Sequence, residues 1–432
     1  MAIRCWDNAL PSERGVALAA LAAVRGGTSL PEALQLAGIA ELAPRERALA
    51  RRICQQALRH RRRLESQMRC YLRQDRIPPR LLDLLWLGAA QFELPDIPDH
   101  AAVHATVELA PRRWRGVVNA VLRRRLRESP EPPQKPALAH SFPDWLAAAV
   151  DADWDGQGEA LMRALNREPP LCLRVNARRQ DVAQYTQRLQ AAGLAHRCLP
   201  GGAIVLDESV PLAELPGFAA GDISIQGAAA QLAAPLLPLE PGQRALDACA
   251  APGGKTAHWL EREPAARVTA LDVDAGRLAR VAQTLERMGL AAELQAADAT
   301  ADGAWRQSYD AILIDAPCSG TGVIGRHPDI KSLRRESDIP VLAARQGALL
   351  DALWPLLAPG GRLLYCSCSV LSAENDAVIS AFLTRQAGGR LDPFDLPVGQ
   401  ASAYGWRVPP DGTYEGFYFA RLVKGTPDSN PR

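Results

Sequence analysis

"LDACAAPGGKT", residues 246–256, runs from apolar residues into a turn with two consecutive glycines and a lysine. Leu246 to Ala248 read as the end of a buried strand, and Gly253-Gly254 as the turn that opens a helix. Two ligand classes suit that geometry. One is a nucleoside triphosphate cradled by backbone N–H groups; the other is a nucleoside cofactor held by its ribose and tail. A phosphate-binding loop requires G-x-x-x-x-G-K-[ST]. Counting back from Gly254-Lys255-Thr256 puts its first glycine at position 249, which is Cys249. Pro252 removes a further backbone donor from the loop.

The flanking sequence favours the cofactor. "RALDACA", "RVTALDV", "AELQAAD", "DAILIDA" and "GRLLYCS" are five short apolar strands. Leu278, Val281, Ala282, Leu285 and Met288 mark an amphipathic helix between the second and third, and "VLAARQGALLDALWPLL" precedes the fifth. Such alternation predicts a parallel doubly wound sheet whose ligands gather at the carboxyl ends of the strands. "GFYFARLV" is expected to add an antiparallel edge strand. Asp272, 25 residues after Asp247, stands where ribose hydroxyls need an acceptor, and Asp298 where an adenine is read. With Asp315, four carboxylates close four successive strands. Each alone also suits a turn or helix cap. Together they repel a triphosphate and suit a cationic sulfonium such as S-adenosylmethionine. An NTPase, with "DAILID" as its magnesium-binding strand, is the rival.

Cys318 in "DAPCSG" and Cys368 in "YCSCSV" follow the fourth and fifth strands, so both loops open on one edge of the sheet. Cytosine is too electron-poor at C5 to attack a methyl group. A thiolate added to C6 makes C5 nucleophilic, and an acid at N3, placed as Asp315 is, stabilises the adduct. Asp315 then needs a dry pocket to stay protonated. Cys5, Cys54, Cys70, Cys172 and Cys198 read as small packing residues, as do Cys249 and Cys366 within strands. A zinc set of Cys318, Cys366, Cys368 and His327 lacks any C-x₂-C pair, so no metal is expected. His327 in "GRHPDIK" is read equally as a substrate contact or a loop-ordering residue.

The 432 residues, 47% hydrophobic and 23% charged, imply more than one globular domain and no bilayer-spanning run. The apolar stretch Val16 to Val24 is short and preceded by Asp7 and Glu13, which argues against a signal peptide. Nine cysteines without such a signal point to reduced thiols in a cytoplasm. Net charge is +2, but residues 1–140 hold 23 Lys and Arg against 14 Asp and Glu, a net of +9, leaving −7 elsewhere. Arg59, Arg61 to Arg63, Arg112, Arg113, Arg115 and Arg123 to Arg125 cluster, and guanidinium forks suit phosphate oxygens. The electropositive half suggests a nucleic-acid partner, and solvated helix faces are the equal alternative. Residues 1–127 are expected to be helical, 128–144 a linker with five prolines, 145–225 a small α/β domain and 226–432 the catalytic domain. A monomer is expected, with no internal repeat.

"CAAPGGKT", "DAPCSGTGVIGRHPDIK" and "CSV" together resemble the RNA cytosine-C5 methyltransferases of the Sun family, more narrowly their bacterial 16S rRNA branch. "VVNAVLRRRL" (117–126) resembles the signature of the NusB-like helical RNA-binding domain fused to those enzymes; "DWLAAAVDADW", "ALNREPPLCLRVN" and "EGFYFARLVK" also match. The resemblance implies an all-α NusB-like domain, a small α/β RNA-binding domain and a Rossmann-like class I S-adenosylmethionine-dependent methyltransferase domain. It implies methyl transfer to cytosine C5 in 16S rRNA through a cysteine–C6 adduct. Cys368 is then the nucleophile, Cys318 assists product release and Asp315 contacts N3. Cys249, Ala250, Ala251, Pro252, Gly253, Gly254, Lys255, Asp272, Asp298 and Asp315 hold the cofactor. DNA-modifying relatives use the Pro-Cys cysteine as nucleophile, so reversed roles are the alternative. The same chemistry on tRNA or another rRNA site, or an inactive RNA-binding assembly protein, would also fit these motifs. The sequence departs at Gly227, where the family usually has Asp after Gln226, and at the additional Cys366.

Overall fold

The computed structural model describes residues 12–72, 77–301 and 308–426; Cys5 and Asp7 lie outside them. Two compact units divide at Asn166/Arg167, and the segment Ile324–Glu336 belongs to the first.

The first unit is helical. Its longer helices are Glu13–Arg25, Pro44–Arg59, Pro79–Gln91, Asp99–Leu109 and Arg112–Glu128. Every residue from Leu81 to Gln91 is buried, as befits a mainly apolar helix at the centre of a bundle, with the buried Asp83 paired to Arg25 at 2.9 Å. Helix Arg112–Glu128 buries Val118, Val121 and Leu122 and exposes Arg112, Arg113, Arg115, Arg123, Arg124 and Arg127. In the proline-rich stretch 128–144, Pro136–Ala139 form a short helix and Phe142 is fully buried. Helices Asp144–Asp153 and Gly158–Leu165 also pack in this unit, although they stand in or beside the stretch 145–225 expected to form the small α/β domain. Segment Ile324–Glu336 lies in sequence inside the expected catalytic stretch. It is held here because Lys331 is buried and finds its acceptors at Arg59 O (2.6 Å), Asn166 Oδ1 (2.8 Å) and His140 O (3.2 Å). Arg59 Nη2 donates back to Gly325 O at 2.7 Å, and Leu30 N donates to Asp329 Oδ2 at 2.9 Å. Among the described residues no helix is long and apolar enough to cross a membrane.

The second unit holds two sheets. β1 (Cys172–Val175), β2 (His196–Cys198), β3 (Ile204–Leu206) and β4 (Ile223–Ile225) form an antiparallel sheet in the order β2-β3-β1-β4. Helix Val182–Ala191 starts at Asp181, whose carboxylate accepts from Gln184 N. The larger sheet contains β5 (Arg244–Ala248), β6 (Arg267–Asp272), β7 (Glu293–Ala296), β8 (Tyr309–Asp315), β9 (Leu357–Ser367), β10 (Gly389–Leu391), β11 (Gln400–Ala401), β12 (Trp406–Val408) and β13 (Phe417–Lys424). Its order is β11-β12-β13-β9-β8-β5-β6-β7, with β10 also on β13. β5 to β9 are mutually parallel where paired. The chain winds outward from β5 through β6 to β7 and resumes on the other side at β8. The carboxyl end of β5 is therefore a topological switch point, where such sheets open a crevice. β13 is antiparallel to β9 as expected, but it is not an edge strand: β12 and β10 pair with it as well. Phe417, Tyr418, Phe419 and Ala420 are all buried, the mark of a strand covered on both faces.

Candidate active site

The turn after β5 is conformationally demanding. Cys249 has φ +63° and Gly253 φ +97°. Position 253 needs glycine twice over, because a Cβ there would stand 3.0 Å from Val281 on the helix Ala275–Met288. Asp272, the last residue of β6, ties this turn down: Oδ2 accepts from Ala251 N (3.2 Å) and Oδ1 from Asp274 N (3.1 Å). A cleft of about 400 Å³ opens over these groups. Cys249, Ala251, Asp272, Asp298, Asp315, Cys318 and Cys368 all line it, together with Arg277 and Arg345. Its size is that of a small-molecule site.

Lys255 does not stand in the position of a phosphate-binding lysine. Its Nζ lies 2.5 Å from Asp315 Oδ2. Burial works against its charge, but Asp315, Cys366 and Asp247 together hold the ammonium above its ordinary value. Thr256 Oγ1 likewise donates to Asp247 at 2.6 Å, so neither side chain of the GKT triplet is directed to a triphosphate. This removes the geometry the NTPase reading needs. It also changes the picture of Asp315, expected as an acid in a dry pocket and found ion-paired with Lys255. Asp247 is fully buried below the cleft, and burial pushes its carboxyl up to about 7 against the Thr256 hydrogen bond. Three of the four strand-end aspartates thus reach the cleft, and the fourth braces the turn.

Asp298 sits two residues past β7, exposed at the rim. Thr300 N and Oγ1 donate to it and hold its carboxyl below the ordinary range. Cys249 lies just past β5 in the turn and not within the strand, and burial pushes its thiol up to about 12. Cys366, within β9, is fully buried.

Cys318 Sγ and Cys368 Sγ stand 3.4 Å apart. Their loops are stitched together by Gly322 N donating to Cys368 O (2.8 Å) and Gly416 N donating to Gly322 O (3.0 Å). A Cβ on Gly322 would come within 2.1 Å of Gly416 O, so only glycine permits the stitch. The hydrogen bond with Cys368, then burial, raises the Cys318 thiol well above its ordinary value. Beneath the two loops lies Glu374, fully buried, a residue that sequence reasoning passed over because a lone glutamate in "LSAEND" carries no spacing signal. His327 falls in the segment held by the first unit, where burial lowers its pKa. Among the described residues no group of three or more His, Cys, Asp or Glu is placed to hold a metal.

Comparison with known proteins gives three consecutive matches: the NusB family over residues 11–127, the RsmF/B-like ferredoxin-like domain over 142–213, and the 16S rRNA methyltransferase RsmB/F family over 234–423. The chain is similar to ribosomal RNA small subunit methyltransferase B of Xanthomonas campestris pv. campestris, 44% identical over 399 residues, 89% of this chain and 90% of that one. The chain belongs to the 16S rRNA methyltransferase RsmB/F family. Its counterpart in Pseudomonas syringae pv. tomato is 47% identical over 361 residues, 79% of this chain and 80% of that one. In fold, this RsmB/F chain is similar to the crystal structure of PH0851, with TM-score 0.78 at 23% identity over 96% of this chain and 99% of that one. The fold is accordingly a NusB-like helical domain, a ferredoxin-like small domain and a Rossmann-like methyltransferase domain.

Proposed function

We propose that this chain methylates C5 of a cytosine in 16S rRNA, with S-adenosylmethionine as methyl donor, through an adduct between Cys368 Sγ and C6. The observation that carries this reading is the 3.4 Å approach of the Cys318 and Cys368 sulfurs in the cleft that Asp272 and Asp298 also line. Family membership supports the substrate, and the resemblance of the motifs implies the order of the two cysteines.

The donor set suits S-adenosylmethionine. Beyond its two backbone bonds and the 3.5 Å pairing of Oδ2 with Arg277, Asp272 keeps acceptor capacity that fits ribose hydroxyls, and Asp298 at the rim fits the adenine end. Carboxylates around the cleft favour a cation. When bound, the cofactor supplies an electrophilic methyl group. Cys368 forms the Sγ–C6 bond, and the electron pair displaced from the C5–C6 double bond makes C5 the nucleophile. Negative charge that develops toward N3 is offset by the Lys255 ammonium paired to Asp315, and Asp315 is the carboxyl group that would hand a proton to N3. Once C5 carries the methyl group, a base takes the C5 proton, the C5–H electron pair re-forms the C5–C6 double bond, and the Sγ–C6 bond breaks with Cys368 leaving as thiolate. Cys318 is the group placed beside that bond. The exposed arginines of helix Arg112–Glu128 are suited to RNA phosphates, and an unstacked target base would enter the cleft.

The test is methyl transfer from labelled S-adenosylmethionine to 16S rRNA from cells lacking this enzyme, followed by bisulfite sequencing of ribosomal and transfer RNA. A single protected cytosine in 16S rRNA is expected. Transfer only to tRNA, or none at all, overturns the assignment.

A further inference from the structure

Glu374 is a fully buried carboxylate whose described contacts are all to neutral donors. Its Oε1 accepts from Ser319 N (2.8 Å) and Gln346 Nε2 (3.1 Å); its Oε2 accepts from Ser319 Oγ (2.5 Å) and Ser369 Oγ (2.6 Å). Ser319 directly follows Cys318, and Ser369 directly follows Cys368. One carboxylate therefore grips the residue after each cysteine. The grip is reinforced around it. Thr321 Oγ1 lies 3.2 Å from Ser369 Oγ and accepts from Val370 N at 3.0 Å, while Gln346 Nε2 also donates to Pro317 O at 3.0 Å. Tyr365 OH donates to the backbone carbonyl of Glu374 at 2.7 Å, fixing the residue from β9.

A buried charge is costly, and four well-formed hydrogen bonds from dipoles are what make one tolerable. An apolar residue here would leave the loop donors without acceptors, so the cluster holds one arrangement of the two loops. We propose that Glu374 is a positioning residue of the methyltransferase reaction: through Ser319 and Ser369 it keeps the Cys318 sulfur beside the Cys368 sulfur, so that the step after methyl transfer finds Cys318 in place. The proposal rests on the cysteine roles given above. Glu374 touches neither the cleft nor a reacting atom, and its effect passes through the two loops.

Three substitutions separate geometry from charge. Glu374→Gln is isosteric: its carbonyl can accept from Ser319 N and Gln346, while its amide donates to hydroxyls that rotate to accept. Glu374→Asp is shorter by one methylene and draws the carboxylate back from the two loops while keeping its charge. Glu374→Ala releases both. Each full-length variant is assayed beside the wild type, Cys318→Ala and Cys368→Ala for cofactor affinity by calorimetry, kcat and KM for methyl transfer, and covalent RNA adduct on denaturing gels. A misplacement of about 1 Å costs about 10²-fold in rate. Glu374→Ala and Glu374→Asp are expected to lose kcat on that scale, with cofactor Kd within about twofold of wild type and adduct accumulating as in Cys318→Ala. Glu374→Gln is expected to restore most of the lost rate. Wild-type kcat in Glu374→Asp, or loss of cofactor binding in step with kcat, overturns the positioning role. So does a Gln variant no better than Asp. Should Glu374→Ala fail to fold, the Asp and Gln pair decides. If Cys318→Ala forms no adduct, the cysteine reading itself has failed, whatever the Glu374 variants do.

Discussion

Asp247 shows how a single side chain sets the cost of this site. Its carboxyl is fully buried, accepts from Thr256 and is pushed up to about 7 from an ordinary value near 3.8. A carboxyl raised in the folded state contributes stability that is complete below its unfolded value and is lost as pH rises through the folded one. The window here runs from about pH 4 to about pH 7. Asp247→Asn keeps an acceptor for Thr256 and cannot ionise. Its stability relative to wild type is therefore expected to improve between pH 4 and pH 8 by up to about 4 kcal/mol, read from denaturant unfolding at each pH. Parallel stability–pH curves for the two proteins would contradict this. The same residue marks a limit of sequence reading. Four aspartates at strand ends look equivalent on paper, and only the packing of Thr256 over Asp247 shows that one of them faces inward.

Between elements, contacts absent from the sequence order decide the details. Gly227 is the clearest case. A Cβ there would lie 2.4 Å from Glu415 Oε1, and Glu415 is buried. The glutamate thus occupies the space into which a side chain at 227 would project, although the two residues are nearly two hundred positions apart. Gly227→Asp is expected to cost about 1–3 kcal/mol through overpacking. The double variant Gly227→Asp, Glu415→Ala is expected to recover part of that loss, giving a favourable coupling energy in a double-mutant cycle. Strict additivity would contradict the pairing. Such pairs are illegible in one sequence, whereas β5, β6, β8 and β9 announced themselves as apolar runs bounded by aspartate or serine. β2, β4 and β10 to β12 are two or three residues long, too short to show a period. β13 was visible as a strand, and its unbroken apolar run also carried the information that it is covered on both faces.

Across the whole molecule, the charge asymmetry divides into two kinds of arginine. Arg63 and Arg125 both bind Glu93, at 2.7 and 3.3 Å, Arg62 binds Asp144, and Arg59 holds Gly325 O. These four, read from sequence as part of a phosphate-binding cluster, build the helical unit itself. Arg123, Arg124 and Arg127 lie on the exposed face of helix Arg112–Glu128. Replacing these three by Ala is expected to weaken 16S rRNA binding and to flatten its log-log salt dependence by about 0.7–0.9 for each phosphate no longer neutralised. Arg63→Ala is expected to lower the unfolding midpoint while leaving that slope unchanged. The opposite division would contradict it.

In the proposed reaction Cys368 becomes bonded to the pyrimidine while Cys318 serves the later release. This division of roles is tested most directly by mixing undermodified 16S rRNA and S-adenosylmethionine with Cys318→Ala and with Cys368→Ala, and resolving the products on denaturing gels. A stable protein–RNA band with Cys318→Ala and none with Cys368→Ala is the predicted result. A band with Cys368→Ala would contradict the account.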